Sequence, residues 1–230
     1  MIKNSEVCKS CLNCKVKSPL FSLLSDNELN MLNKDRFEVQ YKPGELVFKE
    51  GASASHVLSI TSGIAKILKT SQTKKLIIRF SRLYELLGAP AIFGTGRYIY
   101  TVVALTDIKV CYVDIEPLRS ILRTNANFNY RFLEGLLQET NLMYQRMESL
   151  LLRQSAGKLA ETLLFAAGMH CSDPYFITLS RGDLAAVANM NRDNLQKLLK
   201  EFENDGIILV ENGGIRLMNQ TGLERMAMVG

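Results

Sequence analysis

The residues best equipped for chemistry in this chain of 230 are its cysteines. Cys8, Cys11 and Cys14 form a C-x-x-C-x-x-C run, and Cys111 lies far away in KVCYVDIEPL. Thiolates at such spacing can hold iron–sulfur or zinc. The bland alternatives are a small buried hydrophobe on a strand for Cys111 and an unstructured tail for the trio; Cys171 has no evident partner. Catalytic constellations are absent. His56 and His170 are the only histidines and fall in separate parts of the chain. No nucleophile–base pair, phosphate loop or carboxylate dyad stands out.

A second group is polar rather than reactive. In RGDLAAVANMNRDNLQKLLKEFENDG (181–206), Leu184, Ala188, Met190, Leu195 and Leu198 can make two short helices face one another. Ala185 supplies a small residue at the closest approach. Asn189 holds the turn position, where a residue tolerant of left-handed geometry is required. Asn191 is placed to cap the second helix. That helix then presents Arg192, Asp193, Asn194, Gln196 and Lys197 in its first turns, with Lys200 further along and Arg181 opening the first helix. Arg and Lys suit guanine O6/N7, Asp accepts from cytosine N4, and Asn or Gln pairs with adenine. The pattern predicts a helix-turn-helix whose second helix enters the major groove of double-stranded DNA.

The elements around these groups are of three textures. LVF (46–48), VLSI (57–60), AKILK (65–69), LIIRF (76–80), TVVAL (101–105) and KVCYV (109–113) read as short strands separated by glycine turns, which predicts a barrel or jelly roll. From 116 to 152 the period is helical. Leu133, Leu136, Thr140, Met143, Met147 and Leu150 recur at alternating steps of three and four, the seam of a two-stranded coiled coil. One helix with such a stripe could simply lie on the barrel. Alternatively Phe132, Leu137 and Leu151, beside the seam, could serve the barrel while the seam serves a partner; dimerisation is the favoured reading. A helix capped by Ser155 and ending near Gly168 follows, then the helix-turn-helix, then a hairpin of 207–210 and 215–218 around Asn212-Gly213. The expected fold is α+β, with a double-stranded β-helix (jelly-roll) sensor barrel over 1–115, a dimerisation helix over 116–153 and a winged helix-turn-helix over 154–230.

Composition narrows the class. The chain is 47% hydrophobic and 22% charged with net charge +5, ordinary for a globular protein. The charge is not concentrated where DNA binding is expected, because residues 155–230 hold 7 basic against 9 acidic side chains; placement, not total, must attract DNA. No stretch is long and apolar enough for a membrane span. The N-terminus lacks the apolar core of a signal peptide, so a cytoplasmic location with reduced thiols is expected.

YKPGELVFKEG (41–51), HVLSITSGIAKI (56–67) and LSRGDLAAVANMNRDNLQKLLKEFENDGII (179–208) resemble the glycine-punctuated strands and helix-turn-helix of Crp/Fnr transcription regulators. The resemblance implies a cyclic-nucleotide-binding-like barrel and a homodimer on a palindromic operator. It also implies RNA polymerase as a further partner, and an effector in or near the barrel that alters helix orientation. Cyclic-nucleotide-binding members cradle the phosphate with Gly-Glu-Leu followed by Arg-Ser. Here GAPAIFGTGRYIYT (88–101) puts Ala89 at the Glu and Ile99-Tyr100 at the Arg-Ser, with Arg97 two residues off. A buried phosphate would lack its counter-charge, so cyclic AMP is not expected. Typical members read DNA with Glu two places before a Ser- or Gly-Arg pair; here the run is Asp193-Asn194-Leu195-Gln196-Lys197. Oxygen-sensing members hold a [4Fe–4S] cluster on an N-terminal cysteine group and one cysteine matched by Cys111, though their third N-terminal cysteine is spaced more widely. The competing class is a cupin-like metal-dependent barrel enzyme fused to a protein-interaction winged helix; the scarcity of histidine argues against it, and no enzymatic activity is expected.

Overall fold

A computed structural model describes residues 10–81, 83–167, 169, 173 and 175–229. Cys8, the helix end at Gly168, His170 and Cys171 lie outside the described residues. Contacts divide the chain into two compact units, Met1–Thr73 with Ile78–Glu139 and Lys74–Ile77 with Thr140–Gly230.

The first unit opens with a 3-10 turn, Pro19–Leu23, and helix α1, Asp26–Asn33. Ser25 starts α1 through a capping box with Glu28, which satisfies two of the donors a helix start leaves open. Strands β1 (Phe37–Tyr41), β2 (Leu46–Phe48), β3 (His56–Ser62), β4 (Ala65–Thr70), β5 (Lys75–Phe80), β6 (Leu86–Leu87), β7 (Thr101–Ala104) and β8 (Ile108–Asp114) follow. They form two four-stranded sheets, ordered β1-β8-β3-β6 and β2-β7-β4-β5. All six expected strands are present. β1 was not foreseen because FEVQY alternates charge with apolarity too briefly to register, and β6 is only two residues long.

Alternation along β8 separates two cores. Ile108 and Val110 face the barrel interior with Phe48, Leu58, Ile60 and Val102. Cys111 and Val113 face outward, into a cluster with Leu29 and Leu32 of α1. Helix α2 (Ile115–Thr124) completes that cluster, begun by the Asp114 carboxylate accepting from the Glu116 amide at 2.8 Å. The stretch expected as one helix is therefore two. Asn125 adopts an extended conformation at φ −104°, ψ 95°. Its Oδ1 accepts from the Phe128 amide at 3.0 Å and starts helix α3, Ala126–Leu152. Leu118, Ile121 and Leu122 of α2 and Phe128 and Phe132 of α3 all enter the same core on either side of the break.

The second unit holds α4 (Ser155–Ala167), β9 (Phe176–Ile177), α5 (Arg181–Ala188), α6 (Arg192–Asn204), β10 (Ile208–Glu211), β11 (Gly214–Leu217) and α7 (Gln220–Val229). The hairpin pairs Glu211 with Gly214 across two residues, and β9 joins to give the order β10-β11-β9. A side chain at Gly214 would meet the Ile177 carbonyl oxygen at 2.3 Å, so this close approach requires glycine. Between α5 and α6, Asn189 sits at φ 51°, ψ 47°, the left-handed geometry expected of the turn. A β-branched residue there loses about 1–2 kcal/mol. Asn189→Val should lower the thermal midpoint by several degrees, whereas Asn189→Gly should hold or raise it; equal melting curves for the two would contradict the strain.

Candidate functional site

The polar start of α6 is fixed from both sides of the turn. Asn191 Oδ1 accepts from the Asn194 amide at 2.7 Å, as a cap residue should, and Leu195, Leu198 and Leu199 are buried. The same register leaves Arg192, Asp193, Gln196, Lys197 and Lys200 exposed. Three of the expected contact residues have work within the fold. Asn191 keeps only its Nδ2 for another molecule, Asn194 Nδ2 donates to Ser155 Oγ at 3.3 Å, and Arg181 is half-buried with its Nη1 lacking a partner among the described residues. The Arg192 guanidinium lies beside Gly182 at the start of α5, 3.3 Å from where a Cβ would stand. Lys197 reaches Glu201 at 3.9 Å but stays 76% exposed.

α3 exposes an apolar stripe offset from the expected seam. Tyr130, Leu133, Leu137, Thr140, Tyr144, Met147 and Leu151 are exposed and recur at steps of three and four, a heptad seam. Of the six expected residues, Leu133, Thr140 and Met147 belong to it, whereas Leu136, Met143 and Leu150 are half-buried. Leu136 packs on the barrel's outer core. Phe132 serves that core as expected, but Leu137 and Leu151 do not, at 65% and 71% exposure. Two arginines fix how the helix is turned. In the first unit, Arg79 of β5 donates to Glu85 at 2.9 Å and to Glu139 at 2.5 Å; burial opposes its charge, but the two carboxylates hold its pKa above the ordinary value. In the second unit, Arg146 of α3 donates to the Val187 carbonyl near the end of α5.

The cysteines converge on one small cavity. Cross-strand pairing places Glu38 of β1 and Ser59 of β3 directly opposite Cys111 of β8, so the three side chains form a row on the outer face of the sheet. Arg36 shares that face, donating to Cys111 Sγ at 3.1 Å and to Glu38 at 2.5 Å. The N-terminal segment covers the row, its Cys11 amide bound to Asn33 Oδ1 at 3.0 Å. Cys11, Cys14, Arg36, Ser59, Thr61 and Cys111 then enclose about 10 Å³, room for one water. These residues do not fit a metal cluster as packed. The cavity is too small, a guanidinium occupies the approach to Cys111 sulfur, and among the described residues no three His, Cys, Asp or Glu are placed to hold a metal ion. Burial pushes the Cys111 thiol up to about 11, with Arg36 opposing the push. Arg36, Ser59 and Glu38 had no local signal in sequence; only strand pairing assembles them.

Aromatic rings fill the barrel interior. Phe48 stacks on Tyr98 at 3.9 Å and tilts against Tyr100 at 5.7 Å. The Gly88 amide donates to the Tyr100 hydroxyl at 2.8 Å, and Tyr98 donates to the His56 carbonyl at 2.8 Å. Arg97 turns away, donating to the Gly51 carbonyl at 2.7 Å. Beside α3, an open cleft of about 380 Å³ has Arg79, Tyr84, Glu85, Arg131, Phe132 and Glu139 among its lining residues.

Comparison with known proteins gives this arrangement a family. The model of the cyclic nucleotide-binding domain matches residues 38–125, and that of the Crp-like helix-turn-helix domain matches residues 145–226. The chain belongs to the Crp/Fnr family of transcription regulators. It is 24% identical over 228 residues to the fumarate and nitrate reduction regulatory protein of Escherichia coli (strain K12), covering 94% of this chain and 90% of the relative. It is 25% identical over 188 residues to the HTH-type transcriptional regulator Cmr of Mycobacterium tuberculosis (strain CDC 1551 / Oshkosh), covering 82% and 75%. A crystal structure of a Crp/Fnr-family regulator from Eubacterium rectale shares the fold with TM-score 0.79 at 16% identity, covering 91% of this chain and 98% of that chain. The relatives regulate transcription, and the cupin-like enzyme finds no support among them. Among the described residues no helix is long and apolar enough to cross a membrane.

By the resemblance read from the sequence, Gly88–Tyr100 is the stretch matched to the phosphate cradle of cyclic-nucleotide-binding members. The amide of Gly88 is already taken by Tyr100, whose hydroxyl is buried and whose pKa burial raises. A phosphate entering there would have to displace that hydrogen bond and two stacked rings with no arginine to receive it. Calorimetry with cyclic AMP should show no specific heat; a micromolar dissociation constant would contradict this assignment of the cradle.

Proposed function

We propose that the chain acts in the cytoplasm as a homodimer on a palindromic operator, with RNA polymerase as a further partner, under a redox-type signal rather than cyclic AMP. In this division residues 1–115 sense, α3 within 116–153 dimerises, and 154–230 bind DNA. The observation that carries the reading is the exposed, capped start of α6, where Asp193, Gln196 and Lys197 are held by a buried leucine face. Arg192 leans back over the start of α5, which suits a phosphate better than a base edge. A [4Fe–4S] cluster would need the cysteine cavity to open and Arg36 to leave Cys111, so the thiols themselves are the better receiver of the signal.

The stripe supports dimerisation through Leu133, Leu137, Thr140, Tyr144, Met147 and Leu151, since exposed apolar side chains in heptad register require a cover. Leu137→Glu or Tyr144→Glu should convert the dimer to monomer in sedimentation at micromolar concentration and abolish operator binding. Leu136→Glu should instead lower thermal stability, because Leu136 packs on the barrel. If Leu137→Glu sediments as a dimer, the stripe is not the interface.

DNA reading separates the α6 side chains. Asp193→Ala should relax preference at one base pair per half-site, because a carboxylate beside phosphates is tolerated only where a donor such as cytosine N4 meets it. Losing such a contact costs about 1–3 kcal/mol. Arg192→Ala should weaken all sequences alike and reduce the salt slope by about one. Binding sites selected from random DNA by each variant decide the matter; the wild-type motif returned by both Asp193→Ala and Lys197→Ala would remove α6 as the reader.

A further inference from the structure

In the second unit, α3 has a polar side as well as the exposed stripe. Arg146 and Ser149 lie roughly opposite Tyr144, Met147 and Leu151 on the helix, at about 100° per residue. Only Arg153 and Gln154 connect α3 to α4. A single connector leaves the helices beyond it free to swing, so their setting on α3 depends on ties placed away from it. Two such ties are present. Ser149 Oγ donates to the Glu161 carboxylate of α4, and Arg153 Nε stands 4.0 Å from the same carboxylate. Arg146 Nη2 donates to the Val187 carbonyl of α5, one of the last four in that helix and so without an intrahelical donor. A cation is also favoured at that end of a helix. Arg146 is a costly residue for this place. Its Nε is buried with no partner among the described residues, and burial lowers its pKa against the pull of Glu161. An apolar side chain of similar length would pack there without that cost. What the arginine adds is a direct bond from α3 to the first helix of the helix-turn-helix.

We propose that Arg146 is a positioning residue for DNA reading, which sets the angle at which α5 and α6 leave α3 and hence the spacing of half-sites that a dimer accepts. The inference rests on the reading of the chain as a dimer on a palindromic operator. In that dimer α3 meets the second copy through the stripe and holds its own helix-turn-helix from the opposite side. The two copies of α6 are then joined through α3, and their separation must match half-sites about one turn of DNA apart. One base pair more between the half-sites moves one of them by about 3.4 Å and turns it by about 35°. Readers held rigidly on α3 cannot follow that step at both half-sites, whereas readers released from α3 can swing to follow it. Val187 stands two residues before the left-handed turn at Asn189, so the bond from Arg146 holds the corner between α5 and α6 itself. The arginine acts through that corner and makes no contact with DNA.

The test uses the full chain and the duplex that the wild type selects from random DNA, together with duplexes in which one base pair is added or removed between the half-sites. Wild type should lose about tenfold or more in affinity at either altered spacing. Arg146→Met, which keeps the length of the side chain and removes the bond, should shrink that loss to about threefold or less. Its preferred half-site sequence and its salt slope should match the wild type, because no base or phosphate contact is removed. Arg146→Lys, which restores a donor, should recover most of the spacing penalty. The ratio of affinities at two spacings does not depend on the fraction of folded protein, so lost stability alone cannot move it. A full spacing penalty in Arg146→Met overturns the positioning role, as does a wild type indifferent to spacing. A salt slope reduced by about one in Arg146→Met would do so too, by placing the residue on DNA. Should Arg146→Met not fold, Ser149→Ala, which removes the second tie, is measured in its place with the same outcomes. A wild type that sediments as a monomer, or selects a single half-site, overturns the dimer reading and the role built on it. A dimer with an unaltered penalty in the variant removes the role alone.

Discussion

The strict alternation of β8 is the constraint on which the first unit depends. One strand of seven residues must satisfy two apolar surfaces, because the barrel interior lies on one side and helices α1 and α2 on the other. Ile108 and Val110 serve the interior; Cys111 and Val113 serve the helices. A slip of one residue in its pairing with β1 or β3 would exchange these sets. The chemistry follows the same register. Cys111 meets Glu38 and Ser59 because β1 and β3 flank β8 at those positions, and Arg36 reaches it because two residues along a strand restore the face.

Filling decides what the barrel can admit. A fold that can leave an interior space for a ligand has here been packed with Phe48, Tyr98 and Tyr100, while Tyr41 and Tyr112 share a hydroxyl contact of 2.5 Å and Phe37 stacks on Tyr112 at 4.7 Å. The four tyrosines each place the hydroxyl on a partner, as buried tyrosines generally do. Membership of a family whose domain model carries the name of a cyclic nucleotide does not by itself imply the nucleotide. Sites are set by side chains, and these side chains fill the turn matched to the cradle.

Helix α3 shows how two demands on one helix shift a seam. Phe128 and Phe132 commit one face to the outer core, and Arg79 fixes Glu139 close to it. With that face spent, the exposed heptad must run through Leu137, Tyr144 and Leu151 rather than Leu136, Met143 and Leu150. Both registers have the same period of three and four, so periodicity cannot choose between them. The choice is made by the burial of Phe128 and Phe132 in the outer core, which spends the face next to Leu136.

The sequence by itself determined the elements whose signals are local. The six strands, the Asn-Gly hairpin, the left-handed turn at Asn189 and the cap at Asn191 are written in neighbouring residues, because backbone geometry and capping act over a few positions. The exposed side chains of α6 were legible for the same reason, since a buried leucine stripe dictates which side chains of one helix face outward. Tertiary structure alone decided what depends on partners far along the chain. Arg36 and Cys111 are 75 residues apart, Gly88 and Tyr100 share a buried hydrogen bond through a folded turn, and the exposed stripe of α3 took its register from packing on the barrel. Sequence spacing fixes which residues can neighbour one another along an element. Which face of that element is already occupied is an energetic outcome of burying all the elements together.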